Sequence, residues 1–462
     1  MESKGGSNGS TTDELHVVMF PYLAFGHIVP FIHLSNKLCS HGVRVSFVSA
    51  PAAVPRIASS LHPTIQIIPL QGLPPHLQNT SDLTPAMAEL LKHALDQMQP
   101  QIKTLLSTLK PHLIFFDFAQ HWLPSLASAL SIKTVHFSVF SALSAAFMTV
   151  PARRAASASA DDLKNPPPGF PTTAVTALRT FEAKDFSYIF KSFNGDPCVY
   201  DRVLAGFHSC DVVAFKTCME MEAPYVEFVK TQFGKPVLLA GPLAPEPPSG
   251  QLDDKWAKWL GKFPAKSVIF CSFGSETFLT DDQIKELVLG LELTGLPFFL
   301  VLNFPAGAGE DRVAKALPDG VMERVKERGV VHSGWVQQQH ILAHVGVGCY
   351  VCHAGFSSVM EAMVNDCQLV MMAQKGDQFM NSKLVSMDMK AGVEVRRREE
   401  DGHFGKEDIL GAIMEVMVEA DKEPGKSIRA NHKKWREFLI NREVQSKYVS
   451  DFVQDMKALV NI

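Results

Sequence analysis

Residues 348–374 read GCYVCHAGFSSVMEAMVNDCQLVMMAQ. An apolar run, GCYVCH, ends in a small hydroxyl-bearing turn, a helical segment follows, and a second apolar run, QLVMMAQ, begins at 368. That is the pattern of two buried parallel strands joined by a helical crossover. The same residues also spell C-x-x-C-H, the signature of covalent haem attachment. Strand side chains alternate between faces, so Cys349 and Cys352, three apart, should point in opposite directions. Covalent haem is also attached after export, and the opening MESKGGSNGSTTDE has no apolar core to act as a signal peptide; it reads as a flexible tail. Haem is set aside, and the eight cysteines are expected as reduced thiols of a cytoplasmic protein.

The strand–helix alternation extends outward in both directions. Strands are expected at 16–22, 43–50, 64–70, 112–118, 133–139 and 211–217, then at 267–273, 297–303, 329–335, 348–353 and 368–374. A helix runs from Ile28 to Cys39, and another opens on the capping-box pair Thr280 and Gln283, with Ile284, Leu287, Val288 and Leu291 on one face. The stretch 150–171 changes composition and reads as a surface excursion. The Pro- and Gly-rich GPLAPEPPSGQLDD (241–254) is the best linker. With 462 residues, two α/β domains are expected: 1–243, then a linker at 244–254, then 255–435, with an amphipathic segment at 436–462. A net charge of -4, with Arg396, Arg397 and Arg398 answered at once by Glu399, Glu400 and Asp401, gives no footprint for nucleic acid. No apolar run is long enough for a membrane span.

Ligands of open α/β sheets bind at the carboxyl ends of the strands, so chemistry is expected at those ends. The first strand ends in PYLAFGHIVP, with one glycine, Gly26, where a dinucleotide fold would show three. His27 stands there instead, near a helix N-terminus whose dipole favours a neutral imidazole able to accept a proton. Asp117 ends HLIFFDF among Phe115, Phe116 and Phe118 and needs a buried partner. An arginine or backbone amides would satisfy it; so would His27, as in a Ser-His-Asp arrangement with a substrate hydroxyl in place of the serine. In the second half Ser272, Gly274 and Ser275 form one small turn, and His353, Gly355 and Ser358 another that suits a pyrophosphate. Ser358 and Glu361 also fit a plain capping box. No residue spacing suggests a metal site.

The longer window from Trp335 to Gln378, WVQQQHILAHVGVGCYVCHAGFSSVMEAMVNDCQLVMMAQKGDQ, closely resembles the plant secondary product glycosyltransferase box. Together with GHIVP near the start and SFGS after the linker, it marks a resemblance to the plant UDP-dependent glycosyltransferases over nearly the whole chain. The resemblance implies the GT-B fold, two Rossmann-like domains facing each other across a cleft. The acceptor is expected in the first and the UDP-sugar in the second. It further implies that Trp335 stacks on uracil, that Val336 and Gln338 hold base and ribose edge, and that Glu361 binds the ribose hydroxyls. By the same resemblance His353, Ser358 and Ser275 contact the diphosphate, Gly355, Phe356 and Ser357 count among the UDP-sugar-binding residues, Asp377 and Gln378 bind the sugar, and His27 and Asp117 are base and orienting acid.

Gln337, Ala354 and Phe356-Ser357 depart from the family's usual proline, cysteine and Trp-Asn. The variants look most like the branch that adds a sugar to the existing sugar of a flavonoid or anthocyanin glycoside. Gln378 favours glucose as donor sugar, while that branch also includes users of UDP-rhamnose and UDP-xylose. Acceptor contacts are sought at Phe25, His121, Trp122 and Phe140, although aromatics of this kind are as often ordinary core. No cofactor beyond the UDP-sugar co-substrate, no metal, no nucleic acid and a monomeric state are expected. A nucleotide-sugar-binding protein without turnover is the competing class, and retention of both His27 and Asp117 speaks against it. A nicotinamide-dependent oxidoreductase lacks its glycine fingerprint here.

Overall fold

A computed structural model describes residues 14–78, 85–154, 159–305, 309, 311–419 and 421–462. Most of the predicted N-terminal tail, and part of the 150–171 segment, lie outside the described residues. Among the described residues, thirteen strands form two sheets. The first holds β1 (His16–Phe20), β2 (Arg44–Ser49), β3 (Gln66–Pro69), β4 (Leu113–Phe116), β5 (Lys133–Ser138), β6 (Val212–Phe215) and β7 (Val237–Leu239). The second holds β8 (Val268–Ser272), β9 (Phe298–Leu302), β10 (Gly329–Ser333), β11 (Val347–Cys352), β12 (Gln368–Met371) and β13 (Gly392–Glu394). Every pairing between them is parallel, as expected of strands that are apolar on both faces. Sequence periodicity found eleven of these strands. It did not single out β7 or β13, which are three residues each and too short for alternation to register.

Strand order decides where chemistry can occur. The first sheet runs β3-β2-β1-β4-β5-β6-β7 and the second β10-β9-β8-β11-β12-β13. In each, the winding direction reverses once, between β1 and β4 and between β8 and β11, and such a reversal opens a crevice at the strand ends. Phe20 pairs with Phe116 at the first reversal, and Cys352 with Ser272 at the second. His27 and Asp117 therefore follow adjacent strands, as do Ser275 and His353.

On β11, Tyr350 and Cys352 belong to the core shared with the first sheet, whereas Cys349 and Val351 belong to a separate core on the opposite face. The two cysteines point apart, as alternation requires. The helix Asp281–Leu293 is capped by Thr280, whose hydroxyl accepts from the Gln283 amide, and it buries Ile284, Leu287, Val288 and Leu291. The 150–171 segment is not a free excursion. Arg153 is buried and its guanidinium donates to the carbonyls of Phe147 and Asn165, while Leu163 is fully buried. A guanidinium can gather several chain carbonyls at once, which pins the segment to the core. No helix among the described residues is long and apolar enough to cross a membrane.

The last helix, Arg442–Val460, buries Val449, Phe452, Val453 and Met456 on one face, with Phe452 against Phe115 of β4. A second tie between the halves is ionic. Glu182, fully buried on the helix Thr180–Phe186, pairs with Arg179 and, at 3.0 Å, with Lys383 of the second half; Arg179 also reaches Glu394 at 2.8 Å. Removing one member of a buried pair leaves the other charge uncompensated. Glu182→Ala should therefore cost about 3 kcal/mol or more in urea unfolding. Glu182→Leu combined with Lys383→Met should recover most of that loss, because no buried charge is then left alone.

Candidate active site

His27 occupies the first turn of the helix Phe25–Ser40, and its Nδ1 lies 2.7 Å from Asp117 Oδ2. Asp117 is the residue after β4, and its carboxylate also accepts from the amides of Phe118 (2.7 Å) and Tyr22 (3.3 Å). Backbone amides and His27 share one carboxylate, and among the described residues no arginine joins them. Tyr22, Phe118 and Phe140 surround the imidazole at centroid distances of 5.3, 5.5 and 5.3 Å.

Burial pushes the Asp117 carboxyl up, but the charge and hydrogen bond of His27 and the Phe118 amide outweigh it and hold it below the ordinary range. For His27, burial pushes down while the charge and hydrogen bond of Asp117 push up, and the net direction is above 6.5. This is opposite to what the helix dipole alone suggested, because a carboxylate at 2.7 Å outweighs half a charge spread over the helix end. With Nδ1–H given to Asp117, Nε2 keeps the lone pair. The next charges that act on His27 belong to Glu276 and Asp377, so the imidazole lies within electrostatic reach of the second half of the chain.

At the second reversal, His353 is bracketed by two glycines. A Cβ at Gly274 (φ +75°) would fall 3.0 Å from its ring, and one at Gly355 2.6 Å from its Nε2. Burial, helped by Lys375, pushes His353 down to about 4, so it is a neutral imidazole. Ser275 lies exposed in the turn beside it. The helix Phe356–Val364 starts on Gly355 as N-cap, which corrects the capping-box alternative: Ser358 already lies inside the helix. Glu361 instead accepts from the side chains of Gln338 (2.8 Å) and Gln339 (3.3 Å), and Gln338 also approaches Ser358 at 3.4 Å. Trp335 is 78% exposed, an aromatic face available for stacking, while Val336 beside it is buried.

Asp377 accepts from Asn381 Nδ2 (2.8 Å), and Asn381 in turn accepts from Ser141 of the first half (2.9 Å). Gln378 commits its Oε1 to the amides of Gln374 and Lys375, fixing its own loop, and Gly376 N–H donates to Asp185 of the first half at 2.7 Å. Of the four acceptor candidates, Phe140 meets His27. Phe25 lies under the Arg56 guanidinium at 3.8 Å, and His121 accepts from Arg202 at 3.1 Å, beside the Arg202–Asp96 pair. Trp122 buries its Nε1 without a hydrogen-bond partner among the described residues. Among those residues no group of three or more His, Cys, Asp or Glu side chains is placed to hold a metal ion.

Three participants were missed in the sequence. Tyr22 acts through its amide, which no side-chain pattern reveals. Gln337 donates to the Gln251 carbonyl and accepts from the Asp253 amide, fastening the linker beside the window. Lys216 follows β6 and reaches Ser357 at 2.8 Å. A lysine closing an apolar strand at the carboxyl end of a sheet was the available signal for the last.

Two Rossmann-like sheets whose reversal points confront each other define the GT-B class. The family described as "UDP-glucoronosyl and UDP-glucosyl transferase" matches residues 268–431. An anthocyanidin-3-O-glucoside rhamnosyltransferase of Petunia hybrida is 60% identical, over 98% of this chain and 98% of its own. An anthocyanidin 3-O-glucoside 2''-O-glucosyltransferase of Ipomoea nil is 40% identical, over 98% of this chain and 100% of its own. The Phytolacca americana structure solved with UDP-2fluoro-glucose and pterostilbene superposes with a TM-score of 0.76 at 20% identity, covering 96% of this chain and 100% of that one. The chain belongs to the plant UDP-glycosyltransferases.

If His27 is the base, kcat/KM falls as pH drops through its pKa, because only the neutral ring accepts a proton. The direction of its shift puts that acid limb above 6.5. Asp117→Asn removes the raising influence and leaves burial, so the limb should move down and the rate should fall at least about 10²-fold. A pH–rate profile of both proteins measures this.

Proposed function

We propose that this enzyme transfers a sugar, with inversion, from a UDP-sugar to a hydroxyl on the sugar of a flavonoid or anthocyanidin glycoside. The observation that carries the chemistry is the His27–Asp117 bond of 2.7 Å, within electrostatic reach of Asp377 in the second half. His27 Nε2 takes the proton of the acceptor hydroxyl as that oxygen bonds to the anomeric carbon. The bond from that carbon to the diphosphate breaks on the opposite face, and UDP leaves with the electron pair. Asp117 stays ionised, holds the ring's tautomer and stabilises the imidazolium. Helix amides at Gly355–Ser358 meet the leaving charge, so the reaction needs no metal. Closure of the two halves over both substrates limits hydrolysis of the donor.

A glycoside acceptor is supported by both relatives, whose names carry a 3-O-glucoside as acceptor. For the donor, the 60% relative favours rhamnose over the glucose expected from Gln378. Incubation with UDP-rhamnose, UDP-glucose and UDP-xylose, against aglycones and 3-O-glucosides, decides both points by mass spectrometry of the product. A disaccharide glycoside from the 3-O-glucoside is expected, formed fastest with UDP-rhamnose and equally well in EDTA. Transfer to aglycones alone would reject the acceptor class. His27→Ala should abolish transfer while UDP still binds; near-normal turnover by that variant would remove the base.

A further inference from the structure

Lys216 stands at the carboxyl end of β6, in the first sheet, yet its ammonium serves the second. Nζ donates to Ser357 Oγ at 2.8 Å and lies 5.2 Å from the centre of the Phe356 ring. Both residues belong to the first turn of the helix Phe356–Val364. The lysine is 2% exposed, and it forms no ion pair with a carboxylate among the described residues. Burial pushes it down to about 8, so it is still charged at neutral pH; the carboxylates that act on it from farther off are Glu361 and Asp377.

Left to itself this arrangement is an electrostatic conflict. An ammonium taken out of water needs an anion, and the start of a helix is the wrong place for a cation because the dipole there is also positive. An anion placed between Lys216 and the amides of Gly355–Ser358 resolves both problems at once. Its expected identity follows from the flanking carboxylates. On the donor assignment given above, Glu361 holds the ribose and Asp377 the transferred sugar, and the group that joins those two in a UDP-sugar is the diphosphate.

We propose that Lys216, supplied by the acceptor half of the enzyme, pairs with the diphosphate of the donor and offsets the charge that UDP acquires as it leaves. This rests on the UDP-sugar reading of the site. Lys216 transfers no proton; it remains an ammonium while the electron pair of the broken bond comes to rest on the phosphate oxygen. Because it comes from the first half, it makes donor binding a contact between both halves.

The test is calorimetric binding of UDP and of uridine, which lacks the phosphates, to wild type and to Lys216→Met. A charge-assisted hydrogen bond lost from a buried site should weaken UDP about ten- to a hundredfold, while uridine stays within about twofold. The donor kcat/KM should fall at least as far as UDP affinity. Lys216→Gln replaces the methionine variant if that one does not fold. UDP and uridine weakened alike, as for a lysine that merely props the helix, would overturn the proposal, and so would UDP affinity left unchanged. A wild-type protein that binds neither ligand would instead sink the UDP-sugar reading, and the proposal with it.

Discussion

A carboxylate removed from water must find its hydrogen-bond donors inside the protein, and Asp117 finds three: the amides of Tyr22 and Phe118 and the imidazole of His27. Those donors come from three separate places, the segment after β1, the turn after β4 and the first turn of a helix. They converge only because β1 and β4 are neighbours. The requirement therefore works in both directions. The fold makes the pair possible, and the cost of leaving Asp117 unsatisfied holds the strand ends and the helix start in one geometry.

The opposite side of the cleft is built on a different principle. It holds a neutral histidine at His353, backbone amides and hydroxyls, with Lys375 as a cation close enough to act on His353 and Asp377. Its carboxylates, Glu361 and Asp377, stand where hydroxyl-rich parts of a ligand are expected, and burial raises the pKa of both. From the other half, Lys216 brings a buried ammonium to the first turn of the helix Phe356–Val364. Ser141, Asp185, Arg179 and Glu182 also cross from the first half to the second. The two halves thus share one polar boundary, and the site belongs to that boundary more than to either sheet.

Much of this was legible beforehand for a simple reason. Buried parallel strands are apolar on both faces, so eleven of them stood out as runs bounded by turn residues. The window from Trp335 to Gln378 is continuous, and its residues keep their spacing whatever the rest of the chain does. Local readings were weaker wherever a neighbour in space could overrule a neighbour in sequence. Ser358 and Glu361 fit a capping box by spacing, yet the helix starts earlier, with Gly355 as N-cap at a position where His353 leaves no room for a side chain. His27 looked set toward neutrality by its helix, and a carboxylate ninety residues away along the chain reversed the direction.

The sequence by itself determined the class of fold, the order of its strands along the chain and the identity of the groups at their ends, since these depend on hydrophobic period and local spacing. Only the tertiary structure decided which strand ends adjoin, that His27 meets Asp117, and that Lys216 meets Ser357. Pairing across a sheet and contact across a cleft are set by where long crossovers return the chain, and no local pattern encodes that.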